Sequence, residues 1–542
     1  MSRNRSRRAH RAPGQLSDDC AAEAGRDHPI QAIVLVCGSW VSTEKTAGLS
    51  AALRRAAVRR GEGGEYMEDH PLRSRRSFLG MGVGLLGAAG LAACGDSSPS
   101  TPRVQAEVPK ELIDAAASLK GSSMGMLSQK LYSEAANAAL DSSIKNFADA
   151  TGTKIENSLV QADAGDAVAK IDAEVKGGVA RDLAFMTDSR FVAQFHALGD
   201  LEDVTDVVQA LTAKYGEPTA ESKNFCVFDG RWFAIPYHFI GIGSFLRKDW
   251  MQDKGISPKD IYTWEELRDL CLAISDPGKR RFGWGMTVNR SGDANGMIEA
   301  LINSYGGAIA SNDGRKVTFD SPETVQAVTF LGDIYTNPRY KPMLPPGVAA
   351  WTDSSNNENW LAGILGYTRN QFSVYADSKT KKNPVYENTH VFPDCIGPAT
   401  DKSLLLGQSQ SFVIFKGAKN PELAKLLAQY LVTAPALLGV AKEAPGLALP
   451  AWEKVWDADP FFASGDPAFP VMRKITQQSL PLSTKNGLNF PQKASAGQQA
   501  AVGSYLLTDM MQQVIQGTPP ARAVQAAHAR MVQIFTQQGL PQ

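Results

Sequence analysis

Residues 124–160 read MGMLSQKLYSEAANAALDSSIKNFADATGTKIENSLV, and this stretch decides the fold class. Short apolar runs at Met124–Leu127 and Ile155–Val160 are typical of buried strands, whereas Ser133–Ala150 carries its apolar residues at helical spacing. A strand, a helix and a second strand in this order predict a parallel pair joined by a crossover helix.

The alternation of strands and helices continues along the chain. A helix is predicted over Ala164–Lys176 and a strand over Asp182–Met186. Later helix starts are marked by a capping residue ahead of a proline or glutamate; they are Thr263-Trp264-Glu265-Glu266, Ser321-Pro322-Glu323, Asn420-Pro421-Glu422 and Thr518-Pro519. We therefore expect an α/β fold, with a largely parallel sheet covered by helices on both faces.

Length and charge limit the classes of protein that this chain can represent. With 542 residues the chain is longer than one ordinary domain, and 43% of its residues are hydrophobic. Residues 1–93 hold 14 of the 56 basic and 9 of the 56 acidic residues, which leaves 42 and 47 in the remainder, a net charge of −5. A mildly acidic body argues against a nucleic-acid partner.

A targeting signal occupies residues 73–95, RSRRSFLGMGVGLLGAAGLAACG. A basic pair, a short apolar stretch and small residues before a cleavage site are typical of a secretory signal. The arginine pair Arg75-Arg76 resembles a twin-arginine signal, although a general secretory route stays open, and Leu91-Ala92-Ala93-Cys94 resembles a lipobox with Cys94 as the lipidated residue.

These signals predict how the N-terminal region is organised. Met67 would begin a signal peptide of ordinary length, so we expect a signal over 67–93 and a lipidated tether over 94–120. Residues 1–66 are then expected to be a non-native or disordered extension. Cys226, Cys271 and Cys395 remain in the mature body, which allows at most one disulfide and leaves its pairing open.

Ordered landmarks in the body are similar to those of a known family. They are Asp229–Tyr237, Leu246–Asp249 with Thr263–Leu267, Phe282–Gly285, Trp360–Gly363, and Ser411–Phe415 with Lys419–Ala424. Their order resembles the bacterial extracellular solute-binding proteins of family 1, typified by the maltodextrin-binding protein, over roughly residues 121–535. This resemblance implies a two-lobed periplasmic-binding-protein fold with an interlobe hinge and a ligand cleft.

The resemblance also implies domain boundaries and a function. It implies an N-terminal lobe of 121–237 with 394–432, and a C-terminal lobe of 238–393 with 433–542. It further implies a monomeric, lipid-anchored component of an ABC importer, in the periplasm or on the outer face of the cytoplasmic membrane. Such a protein captures a carbohydrate or similar polyhydroxylated solute and delivers it to the permease subunits. It is not an enzyme, and no catalytic residue, cofactor or metal ligand is expected.

Candidate ligand contacts lie in loops at strand ends, where the family binds its solutes. Carboxylates and amides suit hydroxyl groups, and aromatic rings suit the apolar faces of sugars. The candidates are Ser128, Gln129, Met186, Asp188, Ser189, Tyr237, His238, Asp293, Asn295, Asn370, Phe372, Gly407, Gln408 and Ser409. Asp188 also suits a helix cap. Met186 stands where the type member has an aromatic residue, and no late aromatic is obvious in 494–505, so we expect a small hydroxyl-rich ligand.

Other functions stay open at this point. The same fold could bind a glycerophosphodiester, a polyamine or iron, or act as a ligand-sensing lipoprotein. A secreted glycosidase is the remote alternative. The histidines of the mature body form no metal-spaced pair, and neither a His-Glu-x-x-His nor a nucleophile-elbow motif occurs.

Overall fold

The computed structural model describes residues 106–160, 164–404, 407–478 and 482–542. These residues fall within one of the two compact units of the chain, Ser97–Gln542. The expected extension 1–66, the signal 67–93 and Cys94 lie outside the described residues. The expected tether 94–120 is described only in its last part, which packs into the protein because Val108 and Leu112 are buried.

The described chain contains thirteen strands and eighteen α-helices. The strands are β1 Ser123–Gln129, β2 Lys154–Val160, β3 Leu183–Met186, β4 Val227–Phe228, β5 Arg231–Trp232, β6 Ile235–Arg247, β7 Phe282–Trp284, β8 Leu365–Gln371, β9 Thr389–Phe392, β10 Gly407–Ile414, β11 Leu449–Pro450, β12 Leu482–Ser483 and β13 Asn489–Phe490. The helices are α1 Lys110–Ala115, α2 Glu134–Thr151, α3 Ala164–Lys176, α4 Val192–Leu198, α5 Thr205–Tyr215, α6 Ala220–Cys226, α7 Lys248–Gln252, α8 Trp264–Ile274, α9 Gly292–Tyr305, α10 Pro322–Thr336, α11 Asp353–Leu361, α12 Ser373–Thr380, α13 Pro421–Val432, α14 Ala434–Glu443, α15 Ala468–Gln478, α16 Ala496–Gly503, α17 Leu506–Ile515 and α18 Pro520–Gln537.

The predicted strand–helix–strand unit is present in β1, α2 and β2. The Ser133 hydroxyl caps α2 by accepting a hydrogen bond from the Ala136 amide at 3.2 Å. Gly152 ends the helix in the left-handed region, with φ of 68°. β1 and β2 then pair in parallel over their whole length, as the crossover helix requires.

All four later predicted starts lie within two residues of the start of a helix, but a side-chain cap forms at only two of them. Thr263 and Glu266 form a capping box, and Ser321 caps α10. Asn420 does not cap α13 with its side chain; its backbone amide instead donates to Asp182 Oδ1 at 2.9 Å. The last helix begins at Pro520, and no side chain caps it.

The main sheet is mixed, which corrects the expectation of a largely parallel one. Its strand order is β2-β1-β3-β10-β6-β8-β7, with β9 and β11 also paired to β6. The order β2-β1-β3 is parallel, and so is the pair β7 and β8. β10 is inserted antiparallel between β3 and β6, and β6 is antiparallel to β8.

β6 is shared by two groups of strands and thereby joins two lobes. Its first half pairs with β10 and β11 in the first lobe, and its second half pairs with β8 and β9 in the second lobe. The change of partners falls at Gly241 and Ile242, where Gly241 faces Gly407 and Ile242 faces Gln371. The middle of β6 is therefore the point at which the lobes meet.

The described residues form four apolar cores: two in the first lobe, one in the second, and one that spans the middle of β6. Alternate residues of β3 point to opposite faces of the first sheet: Leu183 and Phe185 join one core, while Ala184 and Met186 join another. A third core fills the second lobe around α8, α9 and α10. α14 and the segment 447–455 pack in the first lobe, which differs from the expected division at residue 433 because α14 lies against α2.

Two further features of the described residues bear on the sequence analysis. Cys226, Cys271 and Cys395 are buried free thiols. Among the described residues, no single helix has the length and apolar composition to cross a membrane, although α13 and α14 together meet both criteria across a bend of 63°.

Candidate ligand-binding site

A cavity of about 860 Å³ lies between the lobes at the middle of β6. Its floor includes Ile242 of β6, together with Gln371 and Gln408, whose side-chain amides are hydrogen-bonded at 3.0 Å. Loops after β3 and β8 form its walls, because the carboxyl ends of these strands meet at this edge. The other lining residues are Tyr132, Asp188, Arg190, Phe191, Arg290, Gly292, Asp293, Asn295, Gly296, Glu299, Asp353, Ser354, Asn357, Arg369, Asn370, Ser373, Gly407, Val502, Gly503, Ser504 and Tyr505.

The first-lobe wall is built around an ion pair directly after β3. Asp188 caps the short 3-10 helix Ser189–Phe191, and its Oδ1 accepts a hydrogen bond from the Arg190 amide at 2.9 Å. The Arg190 guanidinium also donates to Asp188 Oδ2, from Nε at 3.0 Å and from Nη2 at 2.7 Å. Asp188 thus both caps the helix and lines the cavity, and it fixes Arg190 in place.

The second-lobe wall is formed by the first turns of α9. The Ser291 hydroxyl caps this helix. The Asp353 carboxylate accepts hydrogen bonds from the amides of Gly292 at 3.1 Å and Asp293 at 2.9 Å. The positive end of the helix dipole is therefore already occupied by a carboxylate of the protein.

A ladder of amide side chains connects α9 with α11 and β8. Asn356 Nδ2 donates to Asp293 Oδ2 at 2.9 Å, and Asn370 Nδ2 donates to Asn357 Oδ1. Asn356, Asn357 and Asn370 are all buried. Because each of these amides is held by a neighbour, this wall presents polar groups in fixed orientations.

All three arginines that line the cavity have carboxylate partners. Arg190 pairs with Asp188, Arg290 with Asp509, and Arg369 with Asp394. The Arg369–Asp394 pair is bidentate, at 2.7 and 2.8 Å, and each side chain is only 2% exposed. The cationic groups are therefore neutralised by the protein itself.

Two carboxyl groups of α9 titrate away from their ordinary range. Burial, reinforced by the charge of Asp353, raises the pKa of Asp293 to about 7. Burial also raises the pKa of Glu299, although Arg190 and Arg369 act in the opposite direction. Glu299 Oε2 lies 3.9 Å from Arg190 Nη1, so this pair connects the two lobes.

Six of the fourteen predicted contacts line the cavity. They are Asp188, Asp293, Asn295, Asn370, Gly407 and Gln408. Gly407 also has a packing reason to be glycine, because a Cβ at this position would lie 1.8 Å from the Phe239 ring. Contact of these residues with a ligand stays a prediction.

Four other candidates are directed into hydrogen bonds away from the cavity. The Ser128 hydroxyl donates to Asn157 Oδ1 at 2.8 Å, and Gln129 Oε1 accepts from the amide of Thr187 at 2.8 Å. Ser189 and Ser409 belong to a buried hydroxyl cluster, in which their oxygens lie 3.2 Å apart. These side chains hold the strand ends together.

The remaining four candidates are buried in the cores. Met186 is 1% exposed, and Tyr237, His238 and Phe372 are 0% exposed. Burial lowers the pKa of His238 to about 3, so the imidazole is neutral. The Phe372 ring lies against β6, where a Cβ on Gly241 would come within 2.7 Å of it. None of these four lines the cavity, since their strands turn them inward.

Several lining residues were not among the predicted contacts, notably Arg190, Glu299, Asp353, Arg369 and Tyr505. Arg369 had a signal, because an arginine inside a run that reads as a buried strand needs a partner. Tyr505 is the last residue of the range 494–505, in which no aromatic contact was expected. It holds φ of 60°, in the left-handed region, and this turn brings it to the cavity.

Two α/β lobes around a polar cavity, joined by a shared strand, define a two-lobed binding protein. Residues 132–437 match the model of the family described as "Bacterial extracellular solute-binding protein", and the chain belongs to this family. The predicted family and fold class are thereby confirmed.

Individual proteins have similar sequences or similar folds. A "Probable ABC transporter-binding protein" of Deinococcus radiodurans is 26% identical over 241 residues, which cover 43% of this chain and 54% of that protein. The chain thus matches about half the length of this relative. Maltose-bound MalE3 of T. maritima has 19% identity and a TM-score of 0.63, with coverage of 76% of this chain and 99% of that one. A solute-binding protein of Agrobacterium radiobacter K84 in complex with ribitol has 20% identity and a TM-score of 0.63, covering 76% and 98%.

Proposed function

We propose that this protein is the extracytoplasmic solute-binding component of an ABC importer, and that it captures a sugar or polyol between its lobes. The observation that carries this proposal is the cavity at the middle of β6, whose walls come from both lobes. A ligand bound there would contact both walls and favour the closed arrangement, and a membrane permease would receive that closed form.

The chemistry of the walls suits a solute with many hydroxyl groups. Carboxylates and amide oxygens accept hydrogen bonds, and guanidinium and amide N–H groups donate them. Tyr505 and Tyr132 supply aromatic rings at the cavity, on which the C–H face of a sugar ring can lie. Maltose and ribitol are bound by proteins of the same fold.

The alternative of an anionic solute, such as a glycerophosphodiester, is less well supported. Such a ligand needs a cation or a helix N-terminus to receive its charge. The arginines at the cavity are already paired with carboxylates, and Asp353 already occupies the N-terminus of α9.

A thermal-shift screen of residues 97–542 tests this proposal. A ligand that binds only the folded protein raises the Tm in proportion to its concentration over Kd. The panel contains hexoses, pentoses, disaccharides, alditols, glycerophosphodiesters, polyamines and iron. A shift with sugars or alditols supports the proposal, and a shift with only a non-sugar class refutes it. Recovery of the bound solute unchanged after incubation tests the further proposal that the protein is not an enzyme.

The proposal includes a lipid anchor at Cys94 after export, which rests on the signal sequence alone. Replacing Cys94→Ser removes the thiol that carries the lipid. We expect the protein to move from the membrane fraction to the soluble extracytoplasmic fraction. Arg75→Lys with Arg76→Lys tests the twin-arginine route, and we expect the precursor to accumulate in the cytoplasm. Retention of the Cys94→Ser protein on membranes would contradict the anchor.

A further inference from the structure

We infer that the solute is a polyol or sugar that carries a basic amine, and that its ammonium group binds beside Asp293 and Asn295 on the second-lobe wall. This inference rests on the proposed function and specifies the chemical class of the ligand. It comes from the hydrogen-bonding groups of the cavity. The arginine donors already have carboxylate partners, whereas some acceptors have none.

Asp293 is an acceptor with an incomplete set of partners. Asn356 Nδ2 donates to its Oδ2, but in the described part of the chain no cation forms an ion pair with this carboxylate. Arg369, whose charge acts on Asp293, is paired with Asp394 instead. The neighbouring carboxylate of Asp353 adds a second negative charge beside it. Burial and this charge together raise the pKa of Asp293 to about 7, although Asn356 and Arg369 act in the opposite direction.

Asn295 provides an independent observation at the same wall. Its side chain is 5% exposed and lines the cavity, and its Nδ2 donates to the carbonyl of Val502 at 3.2 Å. Its Oδ1, by contrast, has no hydrogen-bond partner among the residues that the structure describes. A buried acceptor without a partner costs free energy, so a donor on the ligand would complete this site.

The guanidinium donors of the cavity, in contrast, already have partners. The guanidinium of Arg190 is held by Asp188 and that of Arg369 by Asp394. Gly296 of α9 lies under Arg369, since a Cβ there would be 3.5 Å from Nη1. These cations are thus fixed by partners of their own, and the unfilled groups on α9 are acceptors.

These acceptors line the same cavity. Asn295 and Glu299 are four residues apart and therefore lie on the same face of α9, whereas Asp293, two residues before Asn295, projects from another side of the helix at its start. Glu299 is 19% exposed and reaches Arg190 only at 3.9 Å. An ammonium group has three donors and no acceptor, which suits a wall whose unfilled groups are carboxylate and amide oxygens. A hydroxyl group has one donor and would leave part of this set unfilled.

Matched pairs of ligands test this inference by isothermal titration calorimetry at pH 7.5. The pairs are 1-amino-1-deoxysorbitol with sorbitol, and glucosamine with glucose, which differ only by the amine. We expect the amine to tighten binding about tenfold or more, because it forms a charge-assisted hydrogen bond in a partly desolvated site. The variant Asp293→Asn keeps the shape of the side chain and should abolish this preference, which is measured as the ratio of the two affinities within each pair. If Asp293→Asn does not fold, the same ligand pairs are measured with Glu299→Gln, which should also abolish the preference for the amine.

Each outcome has a defined meaning. An amine preference that disappears in Asp293→Asn supports the inference. Equal or tighter binding of the neutral members refutes it and leaves the proposed function intact. An amine preference that survives both variants places the ammonium elsewhere and also refutes the assignment. If neither these compounds nor the sugars and alditols of the wider screen bind, the proposed function fails and the inference fails with it.

Discussion

Replacing Asp293→Asn should stabilise the ligand-free protein at alkaline pH. Between pH 4 and pH 7 the native carboxyl keeps a proton that the unfolded chain has lost, because its pKa is raised from 3.8 to about 7. The native state then binds more protons than the unfolded state, so the contribution of this group to stability falls as the pH rises through that window. Above pH 7 the full cost of the buried charge is present.

The size of the effect follows from the raised pKa. Three pKa units correspond to about 4 kcal/mol, which is the upper limit of the gain on removing the charge. Water in the cavity and the hydrogen bond from Asn356 reduce this cost, so we expect a gain of about 1–2 kcal/mol at pH 8. At pH 4 we expect almost no gain, since the wild-type group is then protonated in the native state.

Urea unfolding of both proteins at several values between pH 4 and pH 8 measures this difference. Asp260→Asn is the matched control, because Asp260 is an exposed carboxylate of the same lobe and its removal relieves no cost of burial. A gain that does not grow between pH 4 and pH 8, or a loss of stability at pH 8, would refute the reasoning. The ionised carboxylate of Asp293 would then not destabilise the ligand-free protein.

Three other substitutions, one of them with a matched control, test the packing and the ligand contacts of the cavity. Asp394→Asn should destabilise the protein by about 3–5 kcal/mol in urea unfolding, because it leaves Arg369 buried without its charge partner; an effect below that of an exposed pair would contradict this. Gly407→Ala should cost about 1–3 kcal/mol, because its Cβ collides with an aromatic ring, whereas Gly439→Ala on the open face of α14 should gain about 0.5–1 kcal/mol. Tyr505→Asn removes the ring but tolerates the left-handed backbone, so calorimetry should show about a tenfold loss of sugar affinity in a folded protein; unchanged affinity would exclude stacking on this ring.

The parts of the fold that depend on local signals could be predicted from the sequence. The unit over 124–160 and the capping box at Thr263 are set by spacing and by side-chain chemistry within a few residues. The antiparallel insertion of β10 could not be predicted, because it pairs strands more than 150 residues apart along the chain. Nothing in the local pattern of 407–414 states which neighbours it will have.

In the candidate site, too, local features could be predicted from the sequence and tertiary contacts could not. Loops after strands were identified correctly as places for polar groups, and Asp188, Asp293 and Asn370 do line the cavity. Phe372 was wrong as a lining residue, because it begins the turn into α12 with its ring against β6. The pairing of Arg369 with Asp394 depends on tertiary packing, which the sequence alone does not reveal.

The core that contains Leu183 and Phe185 is built from both ends of the described chain, which affects how the protein folds during synthesis. That core contains Val108 near its start and Trp452 and Val455 near its end, with much of the second lobe encoded between them. A growing chain can complete the first lobe only after residue 455 has left the ribosome. The second lobe needs α18 and so finishes still later. Both lobes are therefore incomplete during most of synthesis and expose apolar surface, which is the kind of intermediate that tends to aggregate.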